Sequence, residues 1–497
     1  MSQPMDELNA ASAAPQSSRM PPTQQRVSVW RTVLGCEWLL LRRDPAWWVA
    51  LAVLVGCVVF AMASGQQRLT ERRLALQAAQ QDEKQRLDRQ AQELQRLLQS
   101  GTAFRGEAFR DPGNPLSVGR GAAAPVVSLA DAPLAALAVG LSDLYPASFR
   151  VAVGSRDRFL FVDEIANPSS LAGGVFDAAF VVVYLFPLLL LALSYNLWSG
   201  EREQGTWALT QASSAPLFLV LAAKLAVRGG CMTLVLLATL ALWLQPAASA
   251  WWGSVLLVAA VATYAGFWMA LALWVNSWQR SSGFNAVALV SCWLLALVVV
   301  PAAINAVSAA VHPAPARADM VLAVREAAVD AERDRDAEMA RFRLEHGTAA
   351  LPANAAESRR LAVLLAADQR ADSVLERHEA MVRQQRTLSD GLAFLSPAVL
   401  MNDALAELAG TGQTRWDRHL EGVAAFHRRW QAFFVERAQR GARIATDDAR
   451  QWPRWEPVAA AAPDRSASAR VAVAVLWTAA LAAVLAGLAG RRLTRAD

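Results

Sequence analysis

The chain has 497 residues, 55% of them hydrophobic and 18% charged, with a net charge of +5. Long apolar blocks alternate with highly charged ones, which argues against a purely soluble chain and for a membrane protein with substantial aqueous segments. Only Lys84 and Lys224 among the 48 basic residues are lysines and no strongly basic patch stands out, so nucleic acid is not an expected partner.

In chain order, residues 1–25 are rich in Ser, Pro and Gln and read as a disordered tail. Residues 26–45 follow, where apolar Val29, Val33, Leu34, Leu40 and Leu41 alternate with Arg31, Glu37, Arg42 and Arg43, the pattern of a helix lying along a membrane surface. The first span is 46–64. Its end, "VVFAMASG", resembles a signal-peptidase site, but about 45 polar residues precede the run, so an uncleaved anchor is expected. Residues 65–174 open with a stretch free of Pro and Gly from Gln66 to Ser100, in which Leu69, Leu76, Leu87, Leu94 and Leu98 form an incomplete stripe at helical spacing. A helix of roughly 30 residues continuing out of the span is expected there, then a turn-rich break and a small compact element.

The second span is 175–198, with Asp177 near its start; an acid there marks a substrate or proton path or simply suits the positive end of a helix. The charge-free run from Gly229 to Gln279, broken at Gln245-Pro246, holds two crossings, taken as 217–244 and 250–275. A fifth span is 284–311. Residues 312–470 read as helices over 318–346 and 355–390, followed by a more apolar, aromatic section, and a sixth span at 471–490 leads to the tail 491–497. The expected fold is all-α and polytopic, six transmembrane helices with two mainly helical extracytoplasmic domains; continuous rather than alternating apolar runs argue against a barrel.

Arg42 and Arg43, Lys224 and Arg228, Arg280, and Arg491, Arg492 and Arg495 fall on one side of this layout, which puts both termini in the cytoplasm. Trp47 and Trp48, and Trp251 and Trp252, suit the two interfacial belts.

Motifs for chemistry are mostly missing. No Gly-Lys dipeptide occurs, so no phosphate loop of the GxxxxGK[ST] type exists in the sequence, and no GxSxG elbow occurs. "RHEAMV" has Val382 where a zinc helix needs its second His. His419 and His427, two helical turns apart, share a face and are expected as solvated positions, not metal ligands. The four cysteines lie in or beside apolar segments at spacings that suit neither a disulfide framework nor a CxxC site. No catalytic residue, resident cofactor or metal is expected.

The segment 199–216 contains "SGEREQGT". Ser199 is placed to cap a short helix with Glu201 and Glu203 in its first turn, and Gly205 to weaken or end it. A solvated turn that keeps the loop out of the membrane fits too. The distance from Trp198 to Leu225 nevertheless leaves room for a short interfacial helix open to a partner.

The run Glu201-Arg202-Glu203-Gln204-Gly205-Thr206, followed by Pro216 and Lys224, resembles the permeases of type-2 ABC exporters. The stretches "PLAALAVGLSDLYP", "FDAAFVVVYLFPLLLLALSYNLWSGEREQGT" and "LSPAVLMNDALAELAGTG" narrow the resemblance to a bacterial branch of the NosY-like and gliding-motility group that carries two large extracytoplasmic insertions. Ala223 departs from the Gly that such permeases often place before the Lys. The resemblance implies a permease subunit without catalysis of its own, in the bacterial inner membrane. Glu201, Arg202, Glu203, Gly205 and Thr206 would form the coupling segment that contacts a separate ABC ATPase, and Arg31, Glu37, Arg42 and Arg43 the connector helix. ATP and Mg would bind the ATPase, a second permease subunit would complete the pair, and the outer blocks would receive substrate, contact a periplasmic partner or transmit motion. The alternative of another class is a membrane scaffold or sensor with partner-binding outer helices and no ATPase.

Overall fold

A computed structural model describes residues 22–100, 104, 110–143, 148–154, 176–206, 216–244, 251–346, 355–457 and 465–495. The tail up to residue 21, the Gln245-Pro246 turn and residues 207–215 of the charged segment lie outside the described residues.

Helix α1 spans Pro22–Arg43. The Asp44 carboxylate then accepts from the Ala46 amide at 2.9 Å and starts α2, Pro45–Ser100, with proline where no amide donor is needed. At 1.5 Å per residue α2 is about 84 Å long, far more than the roughly 30 Å of hydrocarbon, so the first span runs on into a stalk. Leu69, Leu76, Leu87 and Leu94 are turned at least partly inward as the stripe predicts, whereas Leu98 is 62% exposed, so the stripe ends one turn early.

The remaining elements are α3 (Pro115–Arg120), a two-stranded antiparallel ladder of β1 (Val126–Ser128) and β2 (Ser148–Arg150) that pairs Val127 with Phe149, α4 (Ala178–Ala192), α5 (Ser199–Glu203), α6 (Leu217–Trp243), α7 (Trp251–Asn276), α8 (Ser282–Val311), α9 (Arg317–Arg333), α10 (Arg335–His346), α11 (Ala355–Leu392), α12 (Pro397–Ala409), α13 (Gln413–Gln439) and α14 (Arg465–Leu493). The expected helix over 318–346 is divided at Asp334. Among the described residues five helices, α2, α6, α7, α8 and α14, are long and apolar enough to cross a membrane. The second expected span is shorter than read: α4 extends about 22 Å, below the roughly 30 Å of hydrocarbon, and gives way to turns over 193–198. Asp177 caps it, accepting from Phe180 N at 2.8 Å and from Val139 N at 2.9 Å.

α7 is the central helix. Sixty-one per cent of its most apolar stretch is buried, against 17% for α8 and for α14, whose apolar surfaces the rest of the chain leaves largely uncovered. α14 lays Ala467, Val471, Ala474 and Thr478 inward at helical spacing, and α7 offers Ala260, Ala265 and Ala272; such small residues let helices approach closely where no hydrophobic effect drives them together.

Both α4 and α8 contain one widened π turn, Val181–Leu185 and Leu295–Val299, shortly followed by Pro187 and Pro301. A proline supplies no amide donor, so carbonyls one turn earlier need another. Tyr264 Oη donates to the Val183 carbonyl at 2.9 Å, Trp293 Nε1 to that of Tyr184 at 3.2 Å and Ser396 Oγ to that of Ala296 at 2.7 Å.

The polar blocks at 65–174 and 312–470 do not form two separate domains. One core contains Leu94 from α2, Val118, Val127, Phe149 and Val153 from the first block, and Phe342, Leu361, Phe426, Trp430 and Phe434 from the second. The approach is close enough to require glycine at 119, where a Cβ would collide with Val153 and Phe434, and Trp430 Nε1 donates to the Gly119 carbonyl at 3.1 Å. His419 and His427 lie on this inner face of α13, 1% and 4% exposed, which corrects their reading as solvated positions. His427 Nε2 sits 2.7 Å from the Gly154 carbonyl, and His419 packs among Phe149, Trp416 and Trp455. α12, read as part of the second outer block, packs Ala398, Met401, Leu405 and Leu408 into the same core as the spans.

Candidate functional site

The charged segment after α4 folds into the single short helix α5, and its sequence explains its end. Gly205 adopts φ +75°. Its amide bonds to the Arg202 carbonyl at 3.2 Å and the Thr206 amide to the Glu201 carbonyl at 3.0 Å, the paired bonds of a Schellman cap, while Thr206 Oγ1 adds a third bond to Glu201 O at 3.2 Å. Nothing lies within 4 Å of a Cβ at 205, so the backbone conformation alone calls for glycine. Ser199 does not cap the helix: Trp198 holds the cap position without a side-chain capping bond, and the buried Ser199 hydroxyl accepts from Ser282 Oγ at 2.7 Å.

The two acids of α5 point to different neighbours. Glu201 pairs with Lys224 of α6. Lys224 also lies 3.3 Å from Glu37 of α1, and Glu37 lies 3.4 Å from Arg228 of α6. Glu37, 2% exposed, is thus held between two cations, and Arg228 also donates to the Leu193 carbonyl at 2.9 Å. Two carboxylates and two cations balance formally, which is what permits such a group to be this buried. Glu203 accepts from Ser282 N at 3.0 Å and Ser282 Oγ at 2.8 Å at the start of α8. These two bonds, backbone then hydroxyl, hold its carboxyl below the usual carboxylate range.

Behind α5 the turns 193–198 are satisfied by two wholly buried asparagines. Asn276 donates to the Ser194 and Ala272 carbonyls at 2.9 and 2.8 Å, and Asn285 donates to the Tyr195 carbonyl at 3.1 Å. The irregular backbone is thus closed from within the protein, as a site beside the membrane demands. Arg202, Glu203, Gln204, Gly205 and Thr206 are all exposed, Glu203 with its carboxylate on Ser282 and the Arg202 guanidinium 5.5 Å over the Trp198 ring.

The residues expected to work together are therefore divided. Glu201, Arg202, Glu203, Gly205 and Thr206 share one turn, and Glu37 joins them through Lys224. Arg42 and Arg43 end α1 exposed and outside this group, with the Arg42 carbonyl accepting from Trp48 Nε1 at 3.1 Å. The side chain of Arg31 lies outside the described residues. Sequence reasoning missed Ser282, Asn276 and Asn285, and used Arg228 only as an orientation marker. The signal was present for one pair: Lys224 and Arg228 are four apart, hence on one face, and stand as lone cations in an apolar helix. Ala223 is buried inside α6, so no turn exists there to require glycine.

Among the described residues no three His, Cys, Asp or Glu side chains gather into a metal site. Residues 317–457 match a family described as a domain of unknown function, DUF3526, which takes in α9 to α13 and not the charged turn. Comparison with characterised proteins and with solved structures returns no match.

Proposed function

We propose that this chain is the permease subunit of an ATP-driven exporter, with α5 as the surface on which a separate ATPase docks. The observation that carries the reading is a capped, exposed turn tied by an ion pair to α6, through Lys224 to Glu37 of α1, and by hydrogen bonds to α8. A turn that only kept a loop in water would need none of these ties. A push on Arg202 to Thr206 would move the α1 segment through Lys224 and Glu37, and the start of α8 through Ser282. The arginines near the span ends support termini and turn in the cytoplasm, with the head that the two polar blocks build together outside in the periplasm of a bacterial inner membrane. With no phosphate-loop sequence in the chain, ATP and Mg belong to the ATPase, and a second permease subunit completes the translocation path.

The test is purification of the tagged full chain in mild detergent, with partners identified by mass spectrometry and ATP hydrolysis measured. An ATPase co-purifies with the parent and is lost or uncoupled in Arg202→Glu, a better probe than Glu203, whose carboxylate is engaged by Ser282. If a well-folded parent brings down no ATPase, the transport reading fails and the scaffold or sensor role replaces it.

A further inference from the structure

Three parts of the chain bring arginines together where the head meets the spans. Arg72 and Arg73 stand on α2, with Arg72 about 12 Å past Ser64, the end of the expected first span. Residues 130–142 lie against the start of that stalk. A Cβ on Gly65 would collide with the Ala136 carbonyl, and Leu134 and Leu137 belong to the core of the spans. The turn between α12 and α13 clamps the same segment: Leu141 N donates to the Thr411 carbonyl and Thr411 Oγ1 to that of Ala138, both at 3.0 Å. Arg415 and His419 follow, one turn apart on one face of α13.

The charges gathered there do not balance. Arg72 Nη1 reaches Ser142 Oγ at 3.4 Å, and its Nη2 is buried without a hydrogen-bond partner among the described residues. Arg415 donates to two neutral oxygens, the Gly410 carbonyl at 3.2 Å and the Ala130 carbonyl at 2.5 Å. Asp131 attracts both guanidiniums, but its Oδ2 is already bonded to Arg73 Nε at 2.8 Å, so this carboxylate is shared among three cations. Burial first, and for Arg415 the charge of Arg72 next, hold both guanidinium pKa values below the usual arginine range. His419, 1% exposed, feels the same two arginines and leaves Nδ1 without a partner among the described residues. Cations placed so are costly without an anion beside them. Arg72 and Arg415 are only partly buried and Arg73 is exposed, so the cluster keeps contact with solvent. We propose that Arg72 and Arg415, with the Ser142 hydroxyl, hold the phosphate group of a ligand, borne by a lipid headgroup or by a soluble phosphate ester. A phosphate offers acceptor oxygens to guanidiniums arriving from different elements, whereas a carboxylate is used up by one fork. The headgroup zone adds roughly 5–7 Å to each side of the hydrocarbon, which brings lipid phosphates within reach of an arginine side chain at residue 72.

The test uses the full chain in dodecyl maltoside, titrated with inorganic phosphate and, separately, with short-chain phosphatidylglycerol, against chloride at matched ionic strength. Thermal unfolding and isothermal calorimetry read the binding. Saturable binding with a raised melting temperature is expected. Arg72→Gln and Arg415→Gln should each weaken it about tenfold or more, while Arg440→Gln, at an exposed arginine of the head, should leave it unchanged. Asp131→Asn removes the competing carboxylate and should tighten binding, a gain that poor folding of the arginine variants could not imitate. Saturation by phosphatidylglycerol where inorganic phosphate has no effect assigns the site to a lipid headgroup. Saturation by inorganic phosphate with no gain from the lipid assigns it to a soluble phosphate ester. No saturable response beyond chloride overturns the proposal, as does a response that survives both arginine substitutions or weakens in Asp131→Asn.

Discussion

Lys224 is where residue chemistry decides the arrangement around α5. Its ammonium serves Glu37 and Glu201 together, with side-chain exposures of 11%, 3% and 19%. Removing one member of a buried ion pair leaves a charge without compensation, so Lys224→Met is expected to destabilise the protein by about 3 kcal/mol, Arg228 retaining part of the attraction on Glu37. Adding Glu37→Gln should restore part of that loss, because the stranded charge is gone; thermal unfolding in detergent of the single and double variants measures it. If the double variant is the less stable by the sum of two independent losses, the network is not coupled as drawn. Gly205→Ala should cost about 1 kcal/mol through the left-handed backbone alone, its surroundings being empty.

At the level of elements, the spans were legible because about 20 charge-free residues leave little alternative to a membrane helix. The continuation of α2 was legible too, since a stretch without Pro or Gly has nothing to stop it. The shortness of α4 was not: Pro187 is visible in the sequence, but the turns at 193–198 stand only because Asn276 and Asn285, roughly eighty to ninety positions later, take up their carbonyls. Hydropathy records that a segment is apolar, not which distant side chain lets it bend. The same holds for the π turns. Tyr264 is wholly buried with its hydroxyl on Val183 O, so Tyr264→Phe leaves that carbonyl unsatisfied and should cost about 2 kcal/mol. An unchanged melting temperature would mean that α4 re-forms its own bonds.

For the whole molecule, the sequence presents two polar blocks and the structure one head. Nothing local could reveal this, because the bonds that join them, such as Trp430 to Gly119 and Trp455 Nε1 to Ser128 O at 3.3 Å, connect residues more than three hundred positions apart. The head also has its own core, distinct from that of the spans. His419 lies in that core, and burial first, then Arg415 and Arg72, lowers its pKa from 6.5 to about 4. Its Nδ1 has no hydrogen-bond partner among the described residues. A base whose pKa falls on folding is held neutral by the native state, so the unfolded chain binds its proton first. The stability linked to this group is complete above pH 6.5, declines as the pH falls and is fully lost near pH 4, a change of a few kcal/mol. The head should therefore loosen in that window while the spans, with no share in this group, stay folded. Tryptophan fluorescence reports it through Trp416, Trp430, Trp452 and Trp455, beside helical content as a measure of the spans. His419→Leu should flatten the pH dependence between 6.5 and 4, whatever it does to stability at neutral pH. A slope unchanged in that variant would mean that acid acts on the head through its carboxylates instead.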